Sequence, residues 1–443
     1  MLKTFQLGGV HPAEHKLSAD KAIKKPALPK GVIIPVAQHI GAPAQVLVNK
    51  GDHVKVGQLI ARAGGFVSAN IHSSVSGTVK KVDLAADSSG YPRQGIFIDV
   101  EGDEWLEDID TSDKLIEDFN PDSKAIIERI NAAGIVGMGG ATFPTHVKLA
   151  PPPGMKADML IINGVECEPY LTSDHRLMLE KSREIITGTR ILMCALQVEK
   201  ACIGIENNKK DAIEQLRGLT SGDQSIKVVP LKVKYPQGGE KQLIKAITGR
   251  EVPSGALPIS VGVVVSNVGT AFAVYEAVQK NKPLVERVVT VTGKRVKEPS
   301  NFLVRIGTPV SELIEAAGGL PEDTGKIISG GPMMGKAIAS LEVPVTKGTS
   351  GLLLIPQHES KRELCQTCIR CGRCVTVCPM GLEPYFLMTV SEKQIWDKAE
   401  EHHIMDCIEC GSCSFTCPAN RPLLDYIRLG KGKVGKLIRE RKK

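Results

Sequence analysis

Residues Cys365–Gly381 read CQTCIRCGRCVTVCPMG, and a shorter run, CIECGSCSFTCPAN, follows at Cys407–Asn420. Register decides what the first run holds. Cys368, Cys371, Cys374 and Cys378 form C-x2-C-x2-C-x3-C ahead of Pro379, and Cys407, Cys410, Cys413 and Cys417 repeat the pattern ahead of Pro418. A register starting at Cys365 would need a cysteine where Val375 stands, so Cys365 is read as a spare thiol. This spacing suits a [4Fe–4S] cluster: three close thiolates wrap one face of the cube, and the fourth cysteine of each run ligates the other cluster. The expected sets are Cys368, Cys371, Cys374 and Cys417 for cluster 1, and Cys407, Cys410, Cys413 and Cys378 for cluster 2. Structural zinc also uses C-x2-C pairs, but it does not account for two four-cysteine runs each closed by x3-C-P.

Composition narrows the class. Twelve cysteines in 443 residues, eight in metal spacing, argue against a secreted disulfide scaffold and for a reducing cytoplasm. Aromatic residues make up only 4%, too few for a nucleic-acid stacking surface, so no nucleic acid is expected. The N-terminus, MLKTFQLGGVHPAEHK, has no apolar core of a signal peptide. No run approaches the roughly 18 apolar residues of a membrane span. The net charge of +7 lies partly in RLGKGKVGKLIRERKK, Arg428–Lys443. That tail is read as a solvated, frayed terminus, with contact to anionic lipid or an acidic partner as the alternative.

Hydrophobic patterning divides the rest. VLVNKGDHVKVGQLIARAGGFVSANIHSSVSGTVKKVD alternates short strands with Gly-Asp, Gly-Gln and Ser-Gly turns. It resembles the barrel-sandwich hybrid of lipoyl and biotinyl carrier domains. Those domains present a lysine on a hairpin, and no lysine occurs from Arg62 to Thr78, so a scaffold is expected, not a swinging arm. Residues 120–280 alternate helix and strand signals, which argues a parallel α/β sheet with its ligand site beyond the strand ends. Residues 285–355 return to short strands in a small β-grasp-like unit. EPYFLMTVSEKQIWDKAEEHHIMDC, between the cysteine runs, has helical periodicity.

Four polar constellations fall in the α/β region. GIVGMGGATFPTHVKL, Gly134–Leu149, offers a glycine turn able to aim N–H groups at an anion. INGVECEPYLTSDHRLM, Ile162–Met178, clusters Asn163, Glu166, Glu168, Asp174 and Arg176 at a predicted strand end, with a polar loop holding a salt bridge as the alternative. YPQGGEKQLI, Tyr235–Ile244, puts two glycines at a helix start. VSNVGTAFAVYEAV puts Asn267 and Thr270 at a strand end. Together they resemble the FMN- and NADH-binding flavoprotein subunit of respiratory complex I, matching at Gly137, Gly139, Gly140, Ala141, Phe143, Pro144, Thr145 and Lys148. Further matches are Asn163, Glu166, Glu168, Pro169 and Arg176, then Tyr235, Gly238 and Glu240. The chain departs at Val165, where that family carries aspartate, and at Gly239, where it carries glutamate. The whole chain, from about Phe5 to Arg428, is similar to the RnfC family of Rnf electron-transport complexes, through GGVHPAEHK, HIGAPAQVLVNKGDHVKVGQ, the flavin-type core and the paired cysteine runs.

The resemblance implies a multidomain α/β protein. Residues 1–115 are expected as a barrel-sandwich hybrid, 116–284 as an FMN/NAD-binding α/β domain, and 285–356 as a β-grasp-like domain. A helical ferredoxin domain with two [4Fe–4S] clusters at 357–430 and a basic tail at 431–443 follow. It implies FMN contacts at Gly137, Gly139, Gly140, Lys148, Asn163, Glu166, Gly238, Gly239 and Asn267, and NAD(H) contacts at Phe143, Glu168 and Glu240. No catalytic acid or base is expected, since hydride transfer to flavin requires none. The family further implies a peripheral subunit on the cytoplasmic face of a membrane, in an ion-translocating ferredoxin:NAD oxidoreductase. Its partners are the membrane-embedded and cluster-carrying subunits, with ferredoxin served indirectly. Two alternatives stay open in the sequence: an electron-transfer adaptor without NAD chemistry, and the flavin subunit of a soluble bifurcating dehydrogenase.

Overall fold

The computed structural model describes residues 2–441. The chain begins as an arm that ends in β1 (Ile23–Lys24). Seven strands follow: β2 (Gly31–Pro35), β3 (Gln45–Val46), β4 (His53–Val54), β5 (Leu59–Arg62), β6 (Ile71–His72), β7 (Gly77–Ala86) and β8 (Pro92–Val100). They form two small sheets, ordered β2-β8-β7-β4 and β3-β5-β6. Alternate side chains face inward, so Val32, Ile34, Ile60, Ile71, Val79, Ile96 and Ile98 share one core. The β5–β6 hairpin does not swing. At its base Asn70 donates to the carbonyl of Ala132 at 3.2 Å and accepts from Lys347 Nζ at 2.7 Å. The arm also pairs outside the expected first domain, 1–115. Lys3 bridges Leu231, Val10 bridges Tyr235, and β1 runs parallel to a strand of the third domain.

The second domain contains α1 (Ser123–Ala132), α2 (Thr145–Lys148), β9 (Met159–Asn163), α3 (Ser173–Glu180), α4 (Ser182–Leu196), β10 (Ala201–Glu206) and α5 (Lys210–Leu219). It continues through β11 (Ile226–Leu231), α6 (Glu240–Thr248), β12 (Val263–Asn267) and α7 (Val268–Gln279). Helix α1 starts because Asp122 accepts from the amides of Lys124 and Ala125, and it buries Ile126 and Ile130, one turn apart. The four strands are all parallel, in the order β11-β10-β9-β12. Leu160 and Ile162 face α4 and α7, whereas Ile161 faces α6, so both sides of the sheet are covered. Chain order reverses between β9 and β12, and in open α/β sheets the ligand crevice lies at the carboxyl ends of the strands at such a point.

The third domain contributes β13 (Glu286–Thr292), β14 (Ser300–Arg305), β15 (Thr324–Ser329), β16 (Lys336–Ala337) and β17 (Gly351–Pro356) to a six-stranded sheet completed by β1, with α8 (Val310–Ala316) packed on it. Its order, β1-β14-β13-β17-β15-β16, shows the arm capping one edge. The last domain holds α9 (Gln357–Ser360), α10 (Arg373–Thr376), α11 (Pro384–Glu392), α12 (Trp396–Glu401), α13 (Ser412–Phe415) and α14 (Leu423–Arg441). Its two cysteine runs fold alike. Gly372 and Gly411, at φ 73° and 78°, each turn the chain into the short helix that follows. The tail expected to fray is instead the second half of α14. Val434 is buried against Leu387, Val390 and Ile404, and that apolar stripe keeps the basic residues helical. Lys442 and Lys443 lie outside the described residues.

Helices α4 and α7 touch at Gly188, where an added Cβ would sit 1.9 Å from the carbonyl oxygen of Ala271. Gly188→Val therefore lowers stability by about 1–3 kcal/mol, the usual range for overpacking. Gly218→Ala, on α5 with open space around it, raises stability by about 0.5–1 kcal/mol. Urea midpoints of the two variants check both signs.

Candidate functional site

Asn163 ends β9 and Asn267 ends β12, and the two pair in register at the reversal of strand order. Asn163 Nδ2 donates to the carbonyl of Gly238 at 2.9 Å, and its Oδ1 accepts from Val165 N at 3.1 Å. Asn267 caps α7 by accepting from Gly269 N, and donates to Asp174 Oδ2 at 2.7 Å. The glycine loop closes over this point. Its Gly137 amide donates to Phe143 O at 2.9 Å and Met138 N donates to Thr270 Oγ at 2.9 Å. The amides of residues 139–141 have no protein acceptor among the described residues. A Cβ at Gly139 would meet the Asn267 side chain at 2.8 Å, whereas one at Gly140 would meet open space. The Thr145 hydroxyl, buried in the same loop, has no partner among the described residues. Free amides, a glycine with room above it and an orphaned hydroxyl fit an anionic group such as a flavin phosphate.

Other expected contacts also bond within the chain. Lys148 Nζ pairs with Glu240 Oε1 at 2.6 Å and donates to Val265 O at 2.8 Å, tying the loop to the first residue of α6. Gly239 is the N-cap of that helix. Phe143 is partly exposed on the loop. Val165 is fully buried in the core behind the sheet. Helix α3 begins within the Ile162–Met178 stretch, after Pro169, and Glu166 caps it. Its carboxylate accepts from Asp174 N at 2.8 Å, His175 N at 3.1 Å and Ser173 Oγ at 3.2 Å. A helix N-terminus offers unpaired amides and positive potential, and the nearest carboxylate takes them. Arg176, on the same helix, pairs with Glu180.

Glu168 bonds to the third domain. It accepts from Met334 N at 2.8 Å and Met333 N at 3.1 Å, in the third domain's Gly330–Gly335 loop. Burial pushes its carboxyl up to about 7, with those two amides pulling the other way. The same loop touches the cysteine domain: a Cβ on Gly411 would sit 2.7 Å from Met333 O, and Arg428 donates to Met334 O at 3.1 Å. Tyr235 completes the junction, its hydroxyl donating to Cys410 O at 2.7 Å.

Cys378 lines the same apolar cavity as Cys407, Cys410 and Cys413, walled by Leu382, Leu387, Leu424 and Ile427. Burial pushes the Cys407 thiol up to about 11 and Cys413 up to about 12, and raises Cys378. Neutral thiols there become ligands when a cationic iron centre displaces their protons, so the donor set fits a cluster. Among the described residues no three His, Cys, Asp or Glu side chains converge closely enough to hold one metal ion; these sulfurs stand around a cavity. Cys374 and Cys417 pack together with Met388 and Leu423, while Cys368 and Cys371 sit on the exposed loop before α10. Cys365 is exposed beside Arg421. A wide groove of about 880 Å³ between α1 and α4 has no part at these strand ends.

Sequence reasoning missed the cations that shape the crevice. Lys16, on the arm, donates to the carbonyls of Glu166, Glu168 and Leu171 at 2.9, 2.9 and 2.7 Å. Lys209 donates to Val165 O at 2.7 Å. Lys347 is buried and donates to Asn70 O and Gly134 O, both at 2.7 Å. The one available signal was Lys16 within GGVHPAEHK, which offered no hint of its target.

Four family models match the chain: an RnfC barrel sandwich hybrid domain at residues 3–103, a Nuo51 FMN-binding domain at 130–276, an SLBB domain at 288–337 and a 4Fe-4S dicluster domain at 361–418. The C component of the proton-translocating ferredoxin:NAD(+) oxidoreductase complex of Clostridium ljungdahlii is 51% identical over 437 residues, 97% of this chain and 93% of that one. The Na(+)-translocating counterpart of Acetobacterium woodii is 47% identical, covering 97% of each. The C component of the ion-translocating oxidoreductase complex of Rhodobacter capsulatus is 44% identical, covering 98% and 84%. The crystal structure of an NAD+-reducing [NiFe]-hydrogenase in the H2-reduced state shares the fold over 71% of this chain and 63% of that one, with TM-score 0.50 and 19% identity.

Burial, and then the charge of Lys209, pull Lys16 down to about 8 from 10.5. The folded chain thus binds that proton more weakly than the unfolded chain. The resulting stability is present above 10.5 and lost as pH falls through 8. The stability of wild type relative to Lys16→Met is therefore expected to grow between pH 8 and pH 10, in urea midpoints. Lys16→Met is also expected to lose bound flavin while keeping its iron.

Proposed function

Because the chain belongs to the RnfC family of ion-translocating ferredoxin:NAD(+) oxidoreductase complexes, we propose that its strand-end crevice exchanges hydride with NAD(H) and passes electrons singly to or from the two clusters, cluster 2 first. The protein is an electron-transfer subunit with FMN and two [4Fe–4S] clusters, and its partners are the other subunits of the complex. FMN, when bound, supplies the conversion between two-electron and one-electron chemistry. The observation that carries the order is the junction at Tyr235, whose backbone lies in the crevice domain and whose hydroxyl holds the backbone of the ligand Cys410.

The chain's own residues bind and orient. The amides of residues 139–141 and the Thr145 hydroxyl would hold the phosphate, and Asn163, Gly238 and Asn267 would flank the flavin at the strand ends. Phe143 offers a ring face at the mouth for the nicotinamide, and Glu240 reaches that side through its pair with Lys148. Glu166 supports the site by capping α3. We assign Glu168 to positioning: its two oxygens accept from the amides of Met333 and Met334, which fixes the loop between the crevice and cluster 2. No side chain is asked to move a proton.

Among the described residues no helix is long and apolar enough to cross a membrane. As a subunit of a membrane-associated complex, the protein is proposed to sit peripherally on the cytoplasmic face, where NAD(H) is found.

Anaerobically purified protein is expected to hold about one FMN and about eight irons, two four-iron clusters, and its flavin absorbance is expected to bleach on NADH addition. Eight irons with no flavin and no response to NADH would leave an electron-transfer adaptor. Glu168→Gln is expected to keep its cofactors and its KM for NADH within about twofold, while cluster reduction slows about tenfold, equivalent to about 1.4 kcal/mol. A tenfold rise in KM with cluster reduction unchanged would return Glu168 to the nicotinamide.

A further inference from the structure

The glycine loop is gripped from behind by the third domain. Its two sides pair as a hairpin: Gly137 N donates to Phe143 O at 2.9 Å, Thr145 N donates to Ile135 O at 3.0 Å, and Val136 bridges Pro144. Residues 138–142 form the tip that carries the free amides. The segment Thr346–Gly348, between β16 and β17, touches this hairpin at both ends. At the base, Lys347 Nζ donates to Gly134 O at 2.7 Å. At the tip, a Cβ added to Gly348 would meet the Thr142 methyl at 2.7 Å. The segment is itself fixed: Lys347 N donates to Gln38 Oε1 at 2.9 Å, and Arg287 donates to Lys347 O.

A brace needs no charge, yet this one buries an ammonium. Lys347 is 1% exposed. Its Nζ ends on two carbonyls, those of Asn70 and Gly134, with no carboxylate in salt-bridge distance among the described residues. Burial alone pulls it down to about 7. The titratable groups that face the segment are the imidazoles of His39 and His72 and the guanidinium of Arg287, none of them an anion. A buried charge without a counter-charge is costly. An anion on the far side of the loop would offset it, and the free amides of residues 139–141 and the orphaned Thr145 hydroxyl point to an anion at the same place.

We infer that Thr346–Gly348 is a positioning element of the flavin site, and that Lys347 makes this site select a flavin carrying a phosphate over one without. This rests on the flavin reading above. The segment holds the glycine loop in the shape that presents its amides. Lys347 adds positive potential behind them, in surroundings where little water screens it. Riboflavin, with the same rings and no phosphate, gains the shape of the crevice but nothing from the charge.

The test uses the anaerobically purified full chain, its flavin removed by dialysis and its iron retained, and reads binding of FMN and of riboflavin by the quenching of flavin fluorescence. Wild type is expected to bind FMN about tenfold or more tightly than riboflavin. Lys347→Met, of similar length and without charge, is expected to weaken FMN about tenfold and to leave riboflavin within about twofold. Gly348→Val crowds Thr142 beside the free amides without removing the ammonium. It is expected to show the same preference for harming FMN, and it carries the test if Lys347→Met loses iron or fold. Equal losses of FMN and riboflavin in an iron-replete variant overturn the proposal, since a brace alone serves both. So does an unchanged FMN affinity in Lys347→Met. Wild type that binds riboflavin as tightly as FMN contradicts the phosphate reading of the glycine loop, and wild type that binds neither contradicts the flavin site; the proposal falls with either.

Discussion

Single-electron transfer through protein falls steeply with distance, so a flavin crevice and a cluster must be held close by contacts that do not yield. Here one hydrogen bond and its surroundings join the strand-end domain to the cysteine domain. The Tyr235 hydroxyl donates to the Cys410 carbonyl, with Glu168 beside it gripping the third domain's Gly330–Gly335 loop. Three domains meet at this junction, and buried polar groups of this kind are costly to leave unpaired. The arm adds a fourth element: Val10 bridges Tyr235, and Gly9 N donates to Val377 O at 2.9 Å. The first ten residues thus lie against both the crevice domain and the first cysteine run.

The other modules make sense around that junction. The barrel-sandwich domain has the hairpin of a carrier but uses it as a brace, through Asn70 and Lys347. Lys347 reaches from the third domain to Gly134, the residue that ends α1 and opens the glycine loop. Lys16 does similar work on the other side of the crevice, gathering three carbonyls of the loop after β9. The crevice is therefore shaped by cations from outside its own domain, and their burial is tolerated because each ends on several carbonyl oxygens.

What the sequence made legible follows from range. Cluster ligands are close in the chain, so spacing alone sets their register, and the repeated Gly372 and Gly411 turns are its structural counterpart. Strand–helix alternation points to the parallel sheet, and the glycine loop to its open amides. What the sequence left unread involves distant partners or competition for a helix end. Lys16 and Glu166 are 150 positions apart. Glu166 is claimed by α3, and Glu168 by a loop 165 positions away. Charge alone misreads the tail, because Val434 and its buried neighbours decide its helix.

The decisive measurement is the path of electrons from NADH to cluster 1. Cys413→Ser, expected to lose cluster 2 and keep about four irons, is mixed anaerobically with excess recycled NADH beside wild type, and freeze-quenched samples are read by electron paramagnetic resonance. The flavin should bleach in both, while the cluster 1 signal rises in wild type and stays absent in the variant. A cluster 1 signal rising as fast in Cys413→Ser as in wild type would mean that electrons bypass cluster 2, and that the Tyr235 junction is not their route.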